Sequence, residues 1–261
     1  MTKTATAVEI RKFPIKISKD DKVAVLGSCF AGEIGSRMSA DGYDVCLNPF
    51  GTIYNPVSIA NSIARLDSAV PFREEECVEM GAGAGKICSW WHHTSFARHT
   101  AIEFLDNANS CLESASKKWK DSNKVIITLG TAMVWKLVSN GEVVSNCLKR
   151  PSREFSHELL SAGQVSAILG RIAGSHPDKE FIFTVSPIRH MGEGAHSNTV
   201  SKAMLHVGLE PVLAAPNTAY FPAFEILLDE LRDYRWFAED LVHPSPAAAL
   251  TIWERFREAL Q

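Results

Sequence analysis

Two pairs of residues in this chain have types and spacing suited to chemistry. Ser28 and Cys29 stand side by side in KVAVLGSCFAGEIG (22–35), where an apolar run gives way to small residues. Asp240 and His243 lie close together in AEDLVHPSP (238–246). A hydroxyl or thiol that is to attack a carbonyl needs a base. An imidazole held at Nδ1 by a carboxylate is one, because Nε2 is left to take the proton. D-x-x-H followed by proline is weak evidence alone, since the same residues suit a helix start with Ser245 as cap. Ser28 falls at a strand-to-helix junction. Its hydroxyl can face a cleft there, and its own N–H, at the helix N-terminus, can stabilise a developing oxyanion. One step along a helix start turns a side chain by about 100°, so Ser28 and Cys29 cannot both face one base.

Other clusters point less clearly. WWHHTSFARH (90–99) holds His92, His93, His99, Arg98 and two tryptophans. It lacks H-x-x-x-H spacing, so no metal site is expected. It reads either as a structural loop or as a pocket wall, with His93 as the candidate substrate contact. Arg189 and His190 follow an apolar run in SPIRH. Arg189 is placed to bind a substrate carboxylate or phosphate, or else to pair internally with Glu225 or Asp229. GAGAGK (81–86) has the composition of a phosphate loop without its spacing. DELRDYR (229–235) reads as charge pairing along a helix. No cofactor is implied.

These residues need a frame. KVAVLG (22–27), YDVCLN (43–48), KVIITLG (124–130) and EFIFTVS (180–186) read as buried strands. Helices are expected after Asn55-Pro56 as N-cap and first residue, over 103–120, near 156–174, around 196–207 and at the end. In the last, Ala249, Trp253, Phe256 and Leu260 share a face. Asn-Gly within 134–146 predicts a hairpin. Strands alternating with helices indicate an α/β sandwich on a mostly parallel sheet, as one domain over 1–261. In such sheets ligands sit at the carboxyl ends of the strands, where GSC, GTA and SPIRH fall. The net charge of −3 and the absence of a basic run argue against nucleic acid and anionic membranes. No leader core or membrane-length apolar run is read, and six cysteines without C-x-x-C suggest reduced, buried thiols in the cytoplasm.

The motifs together are more specific. GSCFA (27–31), NPFGTIYNP (48–56), TLGTAMVW (128–135), TVSPIRH (184–190) and the block 220–245 resemble the GSCFA domain family over about residues 8–258. That family is similar to SGNH/GDSL-type esterases and acyltransferases. The resemblance implies a flavodoxin-like three-layer α/β/α fold and a Ser-His-Asp site. Ser28 would be nucleophile, His243 base and Asp240 its orienting partner, with Cys29 turned into helix–sheet packing. The N–H groups of Ser28 and Gly51 would bind the oxyanion. SGNH enzymes place an asparagine two residues beyond the glycine of the third block, and here that residue is Ala132. Losing such a donor costs about 3–4 kcal/mol of transition-state stabilisation. Thr131, Asn146, His92, His93 and Arg189 are the candidate replacements. The implied reaction is hydrolysis of a small-molecule or glycan ester, with O-acylated carbohydrates as the analogy. Transfer to a hydroxyl acceptor, ligand binding without turnover, or a cysteine-dependent or redox activity at Cys29 are the alternatives.

Overall fold

The computed structural model describes residues 6–10 and 13–260. The N-terminal stretch read for a leader lies partly outside them. Along the chain run β1 (Lys22–Gly27), α1 (Cys29–Ala40), β2 (Asp44–Leu47), α2 (Pro56–Ser68) and the short hairpin β3 (Val78–Glu79) and β4 (Ile87–Cys88). Then come α3 (Ala101–Asp121), β5 (Lys124–Leu129), β6 (Met133–Leu137), β7 (Val143–Val144), β8 (Phe155–Leu159) and α4 (Ala162–Ser175). The last elements are β9 (Glu180–Val185), α5 (Gly194–Leu209), β10 (Thr218–Tyr220), α6 (Ala223–Glu225) and α7 (Pro246–Leu260).

Five strands form one parallel sheet in the order β10–β9–β5–β1–β2. Numbered within the sheet, that is the flavodoxin-like order, whose direction reverses between β1 and β5. Beyond their first residues the central strands β1, β5 and β9 are buried and almost wholly apolar because both faces are covered. Val23 and Val25 of β1 pack with α1 and α7 on one side, and Ala24 and Leu26 pack with α2 to α5 on the other. The result is three layers, α/β/α. The expected face of α7 is the one that packs: Ala249, Trp253, Phe256 and Leu260 are all buried.

Beyond β5 the chain makes a second, antiparallel sheet, β7–β6–β8. Asn140-Gly141 turns its hairpin, with Gly141 at φ +74°. The helix expected near 156–174 is corrected here. Residues 155–159 pair with β6 as a strand, and the helix starts only at Ala162, after the Ser161 cap. The side sheet supplied a partner that helix-period reading could not see. GAGAGK is the turn between β3 and β4. DELRDYR is helical only to Leu231, and its pairs, Asp229–Arg232 and Asp233–Arg235, are exposed.

Candidate active site

The reversal point of the sheet opens into a cleft of about 530 Å³. Its inner end is lined by Cys29, Tyr54, Asn55, Thr131, Arg189 and His243. A second hollow of about 300 Å³ shares Cys29, Ile188 and His243 with it. Cys29 and His243 therefore stand on a ridge between two cavities.

The structure reverses the expected placement of the two neighbours after β1. Gly27 sits at φ +137°, and a Cβ there would overlap the Thr128 carbonyl, so only glycine lets β1 end against β5. Ser28 is then the N-cap of α1 and is fully buried. Its Oγ accepts the Phe30 N–H at 3.3 Å, and its N–H donates to the Thr128 carbonyl at 3.1 Å. Ser28 does not line the cleft. Cys29, the first helical residue, does, with Sγ 3.5 Å from the Tyr54 hydroxyl. The expectation that Ser28 faces the base and Cys29 packs inward is thus corrected. The physical reason is the cap: a serine at this junction turns its side chain back on the helix it starts.

The second pair forms as the sequence predicts. His243 Nδ1 lies 2.6 Å from Asp240 Oδ2, while Asp240 Oδ1 accepts the N–H groups of Val242 and His243 at 2.9 and 3.0 Å. The His243 N–H, the Val242 N–H and the ring together hold the Asp240 carboxyl down at about 2. The capping alternative is realised as well, since Ser245 Oγ accepts the Ala248 N–H at the start of α7. Arg189 steadies this loop. Its guanidinium donates to the Leu241 carbonyl at 3.2 Å and lies over the rings of Phe237 and Tyr234. The expected ion pairs to Glu225 or Asp229 are not formed. Glu225 is instead bound by the Tyr220 hydroxyl.

The backbone N–H groups of Ser28, Gly51 and Thr131, placed from sequence at the oxyanion, are occupied. Besides the Ser28 N–H, the Gly51 N–H donates to Asn48 O at 2.8 Å and the Thr131 N–H to Tyr54 O at 3.0 Å. Thr131 Oγ1 accepts the Met133 N–H and sits 2.8 Å from Ser201 Oγ. Asn146 does not line the cleft; its Oδ1 accepts the Leu148 N–H in a turn. His93 is not in the cleft: it packs against Gly51, where a Cβ would overlap it, and its ring meets Ser95. His92 is a core residue, described below. Two other donors are open. The Cys29 N–H at the start of α1 has no acceptor among the described residues. Asn55 lines the cleft, is 6% exposed and caps α2 with Oδ1, which accepts the Ser58 N–H at 2.9 Å. That bond fixes the amide's orientation and leaves Nδ2 without an acceptor among the described residues.

Sequence reasoning recognised Asn55 only as a cap; its burial beside a cleft carries no local signal. It missed Tyr54, whose phenol is pushed up chiefly by burial and then by the bond to Cys29. It also missed Lys202 of α5, fully buried under the cleft floor. Lys202 Nζ donates to the carbonyls of Gly130 and Ser186 at 2.6 and 2.7 Å, tying together the ends of β5 and β9. Burial lowers its pKa to about 7. His190 lines the cleft, with burial, then Lys202 and His243, lowering it to about 4. Among the described residues no group of three or more His, Cys, Asp or Glu is placed to hold a metal ion, and no helix is long and apolar enough to cross a membrane. All six cysteines are free, with only Cys46 and Cys88 buried.

The family model described as the GSCFA family matches residues 22–256. No curated protein and no solved structure matches the chain.

Proposed function

We propose that this chain, which belongs to the GSCFA family, cleaves esters through a covalent thioester on Cys29. The SGNH-like character suggested by the motifs is part of that proposal, with the nucleophile moved from Ser28 to Cys29. One observation carries it: His243 is held at Nδ1 by Asp240 at 2.6 Å and shares a cleft with the Cys29 thiol.

In this reading His243 Nε2 takes the thiol proton and the thiolate attacks the acyl carbonyl. Asp240 keeps the ring in the tautomer that presents Nε2 and stabilises the imidazolium. The Tyr54 hydroxyl, kept protonated by its raised pKa, donates to the sulfur. The oxyanion is received by the Cys29 N–H and Asn55 Nδ2, which take the place of the donor missing at Ala132. His243 returns the proton to the leaving alcohol. Water, deprotonated by His243, then releases the acid, or an acceptor hydroxyl takes the acyl group. A small-molecule or glycan ester in a reducing compartment, the cytoplasm, completes the proposal; the free thiols agree with it.

A second reading, a glycan- or metabolite-binding module without turnover, draws on the engaged N–H groups of Ser28, Gly51 and Thr131. The deciding experiment is acylation by p-nitrophenyl esters, followed by intact-protein mass and peptide mapping. An adduct on Cys29 is expected, absent from Cys29→Ala and present in Ser28→Ala. An adduct on Ser28 would overturn the assignment of the nucleophile. No adduct, with ligand-induced thermal shifts that survive Cys29→Ala, would favour the binding module.

A further inference from the structure

The proposed chemistry uses only the inner end of the cleft. Its outer end is built from the side sheet and from the 191–193 turn: Met133 and Trp135 of β6, Val144 of β7, His157 of β8, Met191 and Glu193. Trp135 is 38% exposed, and its ring stacks on His157 at 4.0 Å and 18°. His157 Nδ1 is paired with the Glu193 carboxylate, which ties the side sheet to the turn before α5. Asn198 Oδ1 is taken by the His190 N–H at 2.8 Å. The charges at this end are thus bound to each other. What lines the rest of this end is mainly apolar, the Trp135 indole and the thioethers of Met133 and Met191 over a buried Val144, with the Ser145 and Ser197 hydroxyls and the Asn198 amide N–H as its polar groups.

The second hollow differs. Around Cys29 and His243 it is walled by Ala238, Pro244, Pro246 and Ala249, the base's own loop and the helix after it. His243 must hand its proton to the leaving oxygen, so the leaving group lies on the side that its loop encloses. The acyl group then runs the other way, past Asn55 and Thr131 toward Trp135.

We propose that the Trp135 end of the cleft is an acyl subsite for an apolar chain of several carbons, so that the substrates are medium-chain acyl esters rather than acetyl esters. The proposal rests on the ester-cleaving reading above. An indole face alone suits a sugar or a chain. A sugar would also need several hydrogen-bonding partners around its ring edge, and here the carboxylate and the imidazole are paired with each other, which leaves two serine hydroxyls and the Asn198 amide N–H beside a mainly apolar wall. Methionine thioethers are unbranched and adaptable, so they conform to a flexible chain.

Two measurements on the full chain test this. The first is kcat/KM for p-nitrophenyl esters from acetate to decanoate. A rise of about fourfold per methylene is expected until the subsite fills, the value of burying one CH2. Trp135→Ala should cut the decanoate-to-acetate ratio at least tenfold. Met191→Trp, which adds bulk at the exposed rim, should move the optimum to shorter chains. The second is calorimetric binding of decanoate itself to Cys29→Ala, in which no thioester can form. Saturable binding, weakened at least tenfold by adding Trp135→Ala, is expected. Preference for acetate, or an unchanged ratio in Trp135→Ala, would overturn the subsite, as would absence of decanoate binding to Cys29→Ala. Decanoate binding without turnover of any ester would support the apolar subsite while overturning the ester-cleaving reading.

Discussion

Two loops of this molecule present histidine beside small polar residues, and the fold uses them in opposite ways. In the 89–99 loop His92 is fully buried, with its ring among Phe50, Phe72, Phe96 and Phe104. Ser89 Oγ meets Nδ1 at 2.7 Å, while Nε2 has no partner. Burial first, then Arg65, lowers its pKa to about 3, so it is a neutral core ring. In the 238–245 loop the His243 side chain is 45% exposed and carries a carboxylate at 2.6 Å. The first loop has the richer sequence, with three histidines and two tryptophans, yet it builds packing. The second has one histidine and one well-placed aspartate, and it builds a half-exposed imidazole–carboxylate pair, the proposed base. What separates them is access to solvent and a charged partner, not the number of histidines.

The sharpest way to break this contrast is to delete each ring. His243→Ala should lower ester turnover by about 10²–10⁴-fold, the usual worth of a general base. Its melting temperature should stay near wild type, because the side chain is half exposed. His92→Ala should do the reverse. A large-to-small change in a packed core costs about 2–5 kcal/mol, read as a lower denaturant midpoint, while the protein that remains folded keeps its turnover. Equal loss of turnover in both variants would erase the distinction.

Acid sharpens it further. His92, His190 and His206 have folded pKa values lowered to about 3, 4 and 4, chiefly by burial. An unfolded histidine titrates near about 6.5. Between these values the unfolded chain binds more protons, so stability is fully present above about 6.5 and is lost as pH falls toward the folded values. The melting temperature should therefore fall from pH 6.5 to pH 4. His92→Phe keeps an aromatic ring in the cluster and removes one titrating group, and should make that fall shallower. An unchanged slope would mean that His92 is not held neutral.

The smallest effect concerns Ser28. As an N-cap its replacement by alanine should cost about 1 kcal/mol of stability, seen in a denaturant titration. Alkylation of Cys29 should persist.

The centre of the sheet was legible because β1 and β5 are short valine- and isoleucine-rich runs that end at glycine, and burial on both faces leaves no other use for them. The Asp240–His243 pair was legible because its geometry is local, set within one turn of chain. The placement of Ser28 and Cys29 was not, although one signal was there: a serine at a strand-to-helix junction is first a cap. Strand β8 was missed because its pairing partner lies some twenty residues earlier, in β6. Asn55, Tyr54 and Lys202 were missed for a related reason. Their importance comes from what other segments bring near them, and neighbours in sequence do not reveal it.

The division between ridge and outer wall has an evolutionary consequence. The proposed nucleophile and base are carried by the ends of the parallel sheet and its last loop. Much of the surface facing the proposed acyl chain is carried by residues 133–159, which lie between β5 and α4. Selection can rewrite that segment for a different chain length without disturbing the proposed reacting groups. Grafting 133–159 between relatives, with the 191–193 turn matched to it, is then the natural route to exchanging their substrate preferences.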